Sequence, residues 1–165
     1  MLRILDITAP DINNGNGIRI TLWVAGCTHK CKGCHNAWTW DYNQGIKFIE
    51  NKDAILNKLS NWLQRDYVDG ITFSGGDPLD QDPLSLSELM QLIKWVRLNY
   101  PTKTIWLYTG YEYENLNKYQ KEITNNCDTI VDGPFIEEKK TFDCPFRGSS
   151  NQRIIKKVIN YKKSN

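Results

Sequence analysis

The chain has no long apolar run, no second cysteine pair, little net charge and only two histidines, and each shortage excludes something. Nothing approaches the roughly 18 consecutive apolar residues of a membrane-spanning helix, so no membrane association is expected. The opening run MLRILDITAPDINNG lacks a signal-peptide core and cleavage site, which leads to an expected cytoplasmic location. With 21 Lys and Arg against 19 Asp and Glu, the formal charge is +2. That gives no electrostatic reason to expect nucleic acid as a partner. The Lys-rich end, Lys156-Lys157 and Lys162-Lys163, reads as a solvated tail. No internal repeat, low-complexity block or linker interrupts the 165 residues, so one domain over 1–165 is expected. A chain of this size hides about two-thirds of its unfolded surface and can build a real core. With two histidines, the chain shows no evident catalytic triad.

What is present is a concentration of cysteine. Three of the five cysteines stand in Gly26-Cys27-Thr28-His29-Lys30-Cys31-Lys32-Gly33-Cys34-His35-Asn36, spaced C-x3-C-x2-C. An odd number, with three on one loop, argues for a metal centre and against a disulfide framework in a reducing compartment. Zinc, with His29 or His35 as fourth ligand, is one reading. Zinc sites generally add a second ligand pair well downstream, and Cys127 and Cys144 are isolated. An iron–sulfur cluster held by three thiolates is the other reading. It would keep one iron open to a substrate.

The pattern along the chain alternates. Ile18–Val24 is β-branched and aromatic, after the turn signal Asn13-Asn14-Gly15-Asn16-Gly17. Ala54, Ile55, Leu59, Trp62 and Leu63 recur at helical spacing within 51–65, as do Leu86, Leu89, Met90, Ile93 and Val96 over about 85–99. Between and after them, Ile71–Phe73, Thr104–Tyr108 and Asp128–Val131 read as strands, and 112–121 as a short helix. Arg153–Ile155 with Val158-Ile159 suggests a further strand. The order predicts an α/β fold of parallel strands with crossover helices. A full eight-fold barrel needs about 250 residues, so an incomplete, open (βα)n barrel is expected. Its open side would admit a bulky partner.

Four unusual runs directly follow strands: Cys27–Cys34, Gly75–Pro78, Thr109-Gly110 and Asp132-Gly133. In a parallel array those strand ends share one rim, where active sites are built. Gly75-Gly76-Asp77-Pro78 serves equally well as a plain tight turn. Behind a strand, its glycines would bare backbone to a ligand, Asp77 would offer a carboxylate to an ammonium group, and Pro78 would start the next helix. Tyr108-Thr109-Gly110-Tyr111 and Asp132-Gly133-Pro134 also have ordinary readings as turns.

The cysteine spacing with a following Gly-Gly-acidic motif resembles the radical S-adenosylmethionine superfamily, in its partial-barrel fold. The chain also carries, in order, Asn14-Gly15-x-Gly17-x-Arg19, Cys34-His35-Asn36, Gly75–Leu79, Trp106-x-Tyr108-Thr109-Gly110-Tyr111, Val131-Asp132-Gly133 and Phe146–Arg153. Together these are similar to the activating proteins of anaerobic (class III) ribonucleoside-triphosphate reductases. The resemblance spans about residues 5–155. It implies a [4Fe–4S] cluster on Cys27, Cys31 and Cys34, with S-adenosylmethionine on the open iron. Gly75, Gly76 and Asp77 would meet the cofactor's ammonium group, and Thr109 and Asp132 would line its pocket. Many superfamily members carry an aromatic residue just before the third cysteine. Here that position is Gly33 and His35 follows, so the backbone from Gly33 through Cys34 to His35 would meet the adenine. The activity implied is one-electron cleavage of S-adenosylmethionine to a 5′-deoxyadenosyl radical, which takes hydrogen from a glycine of the reductase catalytic subunit. A flavodoxin-like protein would be the reductant. Two alternatives are an activase of the pyruvate formate-lyase type and a non-catalytic zinc-binding interaction module. Phe146–Arg153 has no cofactor chemistry derivable from its residues, though Arg147 and Arg153 suit a carboxylate or a carbonyl.

Replacing Cys27, Cys31 or Cys34 with Ala is expected to abolish cluster assembly, whereas Cys127→Ala and Cys144→Ala retain it. Iron content per chain after anaerobic reconstitution checks this. Complete loss in Cys144→Ala would overturn the ligand assignment.

Overall fold

In a computed structural model, residues 1–157 are described. They form one seven-stranded mixed sheet with helices, in the spatial order β3-β1-β2-β4-β5-β6-β7. The strands are β1 (Arg3–Asp11), β2 (Arg19–Val24), β3 (Ile46–Lys47), β4 (Gly70–Gly75), β5 (Thr104–Tyr108), β6 (Thr129–Asp132) and β7 (Arg153–Lys156). The α-helices are α1 (Lys52–Leu63), α2 (Pro83–Asn99) and α3 (Lys118–Thr124). The centre, β2-β4-β5-β6, is parallel, as the alternation of elements implied. The flanks are antiparallel: β1 on β2, β3 on β1, and β7 on β6. An all-parallel expectation missed these flanks. β1 mixes Arg3, Asp6, Thr8 and Pro10 among its apolar residues, which masks a strand signal. Val158-Ile159, the rest of the strand expected after Arg153, lies outside the described residues.

Side chains alternate across the sheet with period two. On one face Ile20, Leu22, Val24, Ile71, Phe73, Ile105, Leu107 and Ile130 join Leu59, Leu63, Leu89, Ile93, Val96 and Ile123 of the helices in one core cluster. The alternate positions are Thr21, Trp23, Thr72, Ser74, Trp106 and Tyr108, a polar and aromatic set. The segment after β6 crosses that face: the Phe146 ring meets Trp106 edge-on at 5.4 Å, and Tyr108 Oη donates to the Phe146 carbonyl at 2.7 Å.

Two helix starts differ from expectation for local reasons. α2 begins at Pro83, not Pro78, because the Asp82 side chain accepts from Leu84 N and Ser85 N as an N-cap. α3 begins at Lys118, later than expected, because Asn117 and Gln120 form a reciprocal capping box.

Arg19 anchors the polar face at the start of β2. It is 1% exposed. Its Nε donates to Thr72 Oγ1, its Nη1 to Asn16 O and Thr104 Oγ1, and its Nη2 to Ile71 O and Thr104 O. All five guanidinium N–H donors are thereby used, with Trp106 alongside at 5.5 Å. Burial lowers the Arg19 pKa to about 10, while Asp69 and Asp128 oppose that shift through charge. Gly15 and Gly17 make room: a Cβ on Gly15 would sit 2.8 Å from the Arg19 side chain, and one on Gly17 would strike Asp69. The Asn-Gly-rich motif before β2 therefore reads as the seat of Arg19.

Arg19→Lys, with three donors for five acceptors, is expected to cost about 2–3 kcal/mol of stability. The urea unfolding midpoint checks it; an unchanged midpoint would contradict the account.

Candidate metal and cofactor site

A cavity of about 650 Å³ opens at the C-terminal ends of the parallel strands. Cys27, Cys31 and Cys34 line it, with Ser74–Asp77 at the end of β4, Tyr108–Gly110 at the end of β5 and Gly133 after β6. The convergence expected of four distant runs therefore holds at the level of backbone position.

The cysteine loop leaves β2 and returns on itself. Gly26 N donates to Thr39 O at 2.8 Å and Cys27 N to Trp40 O at 3.2 Å, closing the base of the excursion. A turn joins Cys31 O to Cys34 N at 3.1 Å. Lys30 and Gly33 take left-handed backbone, with φ of 45° and 73°. Cys27 is buried and the other two are half-buried. Burial, then the nearby Asp77 charge, pushes the Cys27 thiol up to about 12. A cation at this sulfur is what would favour its thiolate. The donor set of three sulfurs on one short loop fits a cluster with an open iron.

The loop is stitched to the turn after β4. Gly76 N donates to Val24 O and Asp77 N to Gly26 O, both at 2.8 Å. A Cβ on Gly76 would lie 2.2 Å from Gly26 O, and one on Gly75 would lie 2.4 Å from Val24 O. Close approach of two backbones is what demands both glycines. The Asp77 carboxylate is 1% exposed. Its Oδ2 accepts from His29 Nε2 at 2.8 Å, Thr109 Oγ1 at 3.0 Å and Gly110 N at 2.8 Å. Its Oδ1 accepts from Leu79 N at 2.8 Å. The expected free carboxylate is thus engaged by the protein itself, and the Thr109 hydroxyl is engaged with it.

Asp80, unremarked in the sequence, holds the same loop. Thr28 N and Oγ1, Tyr42 Oη and Tyr111 Oη all donate to its carboxylate, at 2.5 to 3.0 Å. Burial opposes its ionised form, but these bonds prevail and hold its pKa below the usual carboxylate value. The available signal was a second acid three residues after Asp77.

Two expected site residues are not on the cavity wall. Gly33 is exposed beside Glu137, whose Oε1 a Cβ there would meet at 2.8 Å. Asp132 is fully buried and bound by Arg153 at 3.0 and 2.5 Å and by Tyr113 N at 2.7 Å. Its carboxylate joins β6 to β7 and to the turn after β5. His35 does line the cavity, with its ring 5.3 Å from Phe135.

The run Phe146–Arg153 gains a structural account. Gln152 Oε1 accepts from Gly148 N and Ser149 N, and its Nε2 donates to Gly133 O. Asn151 Nδ2 donates to Pro134 O. The run clamps the segment that walls the cavity from the far side. Cys144 and Arg147 line the cavity too, and Arg147 Nε is buried with no hydrogen-bond partner among the described residues. Cys127 is fully buried in the core. The zinc alternative has a counterpart as well: a sulfur of Cys27, a nitrogen of His29 and an oxygen of Asp80 lie within 4.8 Å of one another.

Gly76→Ala is expected to displace the cysteine loop, at a cost of about 1–3 kcal/mol for the forced overlap. Chemical unfolding of the apo-protein, with iron uptake alongside, measures both effects. Wild-type values in both would refute the stitched-backbone account.

The model of the 4Fe-4S single cluster domain matches residues 13–155. The anaerobic ribonucleoside-triphosphate reductase-activating protein of Haemophilus influenzae is 40% identical over 145 residues, covering 87% of this chain and 91% of that one. Its counterpart in Enterobacteria phage T4 is 40% identical over 144 residues, covering 87% of each. That of Escherichia coli K12 is 41% identical over 145 residues, covering 87% of this chain and 92% of that one. Among solved structures, QueE from Escherichia coli superposes with a TM-score of 0.45 at 12% identity, over 79% of this chain and 70% of that one, too remote to bear on chemistry. With a three-cysteine loop on one cavity wall and relatives matched over nearly their whole length, the chain belongs to the family of anaerobic ribonucleoside-triphosphate reductase-activating proteins.

Proposed function

We propose that this protein is a radical S-adenosylmethionine activase that generates the glycyl radical on the catalytic subunit of an anaerobic ribonucleoside-triphosphate reductase. The observation that carries the reading is that the three cysteines of one loop line the same cavity as Ser74–Asp77. Cys27, Cys31 and Cys34 would hold a [4Fe–4S] cluster. When bound, the cluster and S-adenosylmethionine supply one-electron cleavage of a carbon–sulfur bond and, through it, hydrogen abstraction from a glycine Cα. The protein binds, orients and excludes water. The backbone around Gly75 and Gly76 and the Thr109 hydroxyl would meet the cofactor's amino-acid end, and Cys34 and His35 its adenine. Arg147 lines the cavity, and its guanidinium, held by Nη1 on Gln152 O, would suit a carboxylate there.

In this reading the sheet is an incomplete, open (βα)n barrel of the radical S-adenosylmethionine type, within a single domain over 1–165. No helix among the described residues is long and apolar enough to cross a membrane. A cytoplasmic location, a flavodoxin-like reductant and no nucleic-acid partner complete the proposal. An activase of the pyruvate formate-lyase type is the weaker reading, since the relatives named above act on the reductase. A zinc module is the other, through the compact Cys27–His29–Asp80 group.

Anaerobic reconstitution is expected to load about four irons per chain. With reductant, S-adenosylmethionine and the reductase subunit, electron paramagnetic resonance should then detect a glycyl doublet. Stoichiometric zinc with no iron uptake would overturn the activase reading in favour of the zinc module.

A further inference from the structure

We propose that His29 is a positioning residue for the cluster loop, and that Asp77 acts through it rather than as the acceptor of the cofactor's ammonium group. This deepens the activase reading and rests on it. Asp77 Oδ2 already takes three donors, from His29, Thr109 and Gly110. A carboxylate offers about four lone-pair sites over both oxygens, and Leu79 N holds Oδ1 as well. An ammonium group could reach Oδ2 only by displacing one of these, Oδ1 is buried with the rest of the 1%-exposed side chain, and His29 is the donor that belongs to the cysteine loop.

His29 is gripped from several sides. Its ring stands edge-on to Tyr111, with centroids 4.6 Å apart and planes at 75°. Gly110 lies beneath, where a Cβ would approach the ring to 2.7 Å. Tyr111 Oη in turn donates to Asp80, which receives Thr28 through both its backbone N–H and its hydroxyl. Thr28 and His29 directly follow Cys27. The two carboxylates stand on one turn, joined by Asp80 N to Asp77 O at 3.2 Å. They therefore fasten the first half of the loop to the ends of β4 and β5. The second half is tied less firmly: Lys32 reaches Glu137 at 3.4 Å, with the Lys32 side chain 83% exposed. Cys27 is thus preset by the bracket, and Cys31 departs from it after Lys30. The acceptors for the ammonium group then fall to the Ser74–Gly76 backbone.

The test compares whole-chain wild type, His29→Ala, His29→Gln and Asp77→Asn after anaerobic reconstitution. Two quantities are read: the rate of iron loss to a chelator, and the Kd of S-adenosylmethionine per loaded cluster. Losing one charge-assisted hydrogen bond should speed iron loss about tenfold in His29→Ala and Asp77→Asn. The Kd per loaded cluster should stay within about twofold of wild type, since one pairing matters to the loop and not to the cofactor. His29→Gln keeps a side-chain N–H donor and should recover most of the retention. Apo-protein unfolding midpoints separate simple failure to fold from loss of the bracket. Iron retention in His29→Ala equal to wild type would overturn the proposal. So would an Asp77→Asn variant that keeps its iron but loses cofactor affinity about tenfold, the mark of direct contact. A wild type that takes up no cluster would defeat the activase reading itself, a result distinct from either.

Discussion

The backbones of Gly26 and Gly76 approach so closely that neither loop can be placed without the other. Asp77 N reaches Gly26 O at 2.8 Å, and a Cβ at position 76 would stand 2.2 Å from that oxygen. This approach extends the parallel pairing of β2 with β4 by one step beyond Val24 and Gly75. It converts a sheet register into a fixed relation between the cysteine loop and the acidic turn. Tyr42 reinforces it from outside, lying where a Gly26 Cβ would be and donating to both Asp80 O and Asp80 Oδ2. The site is therefore built from strand register first and side chains second. That is the order in which a parallel sheet can gather residues from four separate runs.

The parallel centre was legible because each of its strands is a β-branched or aromatic run ending at a chemical oddity. Ile18–Val24 ends at cysteines, Ile71–Phe73 at two glycines, Thr104–Tyr108 at Thr109-Gly110 and Asp128–Val131 at Asp132-Gly133. Period and punctuation pointed the same way. The antiparallel flanks were hidden because β1 carries charge and proline, and β3 has only Ile46 and Lys47. Within the site, the sequence marked acidic and hydroxyl positions but not their partners. Asp77 and Asp132 look alike in sequence, each just past a strand. One accepts from His29, Thr109 and Gly110 beside the cavity; the other is bound by Arg153 away from it. Pairing across 21 to 48 residues of separation follows from the fold and has no local signature.

The two faces of the sheet divide the labour. One face is apolar and covered by the helices, which gives the strands a rigid backing. The other carries Arg19, Thr72, Trp106 and Tyr108, and is crossed near Phe146 by the segment after β6. Phe146 holds that crossing in left-handed backbone, with φ of 63°. Such a conformation in a bulky residue persists only where its surroundings determine it. Here the Tyr108 hydroxyl takes its carbonyl and Trp106 takes its ring. Pro145 and Phe146 border both the cysteine cavity and a second one of about 610 Å³ nearer the start of the strands. They form a partition on the polar face, and Gln152 and Asn151 fix its base to Gly133 and Pro134.

Electrostatics near the loop set a condition on how it fills. Cys27 is buried beside Asp77 and Asp80, and both burial and those charges keep its proton on. A thiolate is the form that ligates. Binding a positive metal centre must therefore release that proton and reverse the local preference, so metal uptake and deprotonation are one event. The carboxylates cannot be moved away to ease this, because they are what positions Thr28 and His29. The same two groups that shape the loop oppose the Cys27 thiolate. Metal binding and loss of the Cys27 proton are thus coupled on a geometry that the bracket already sets.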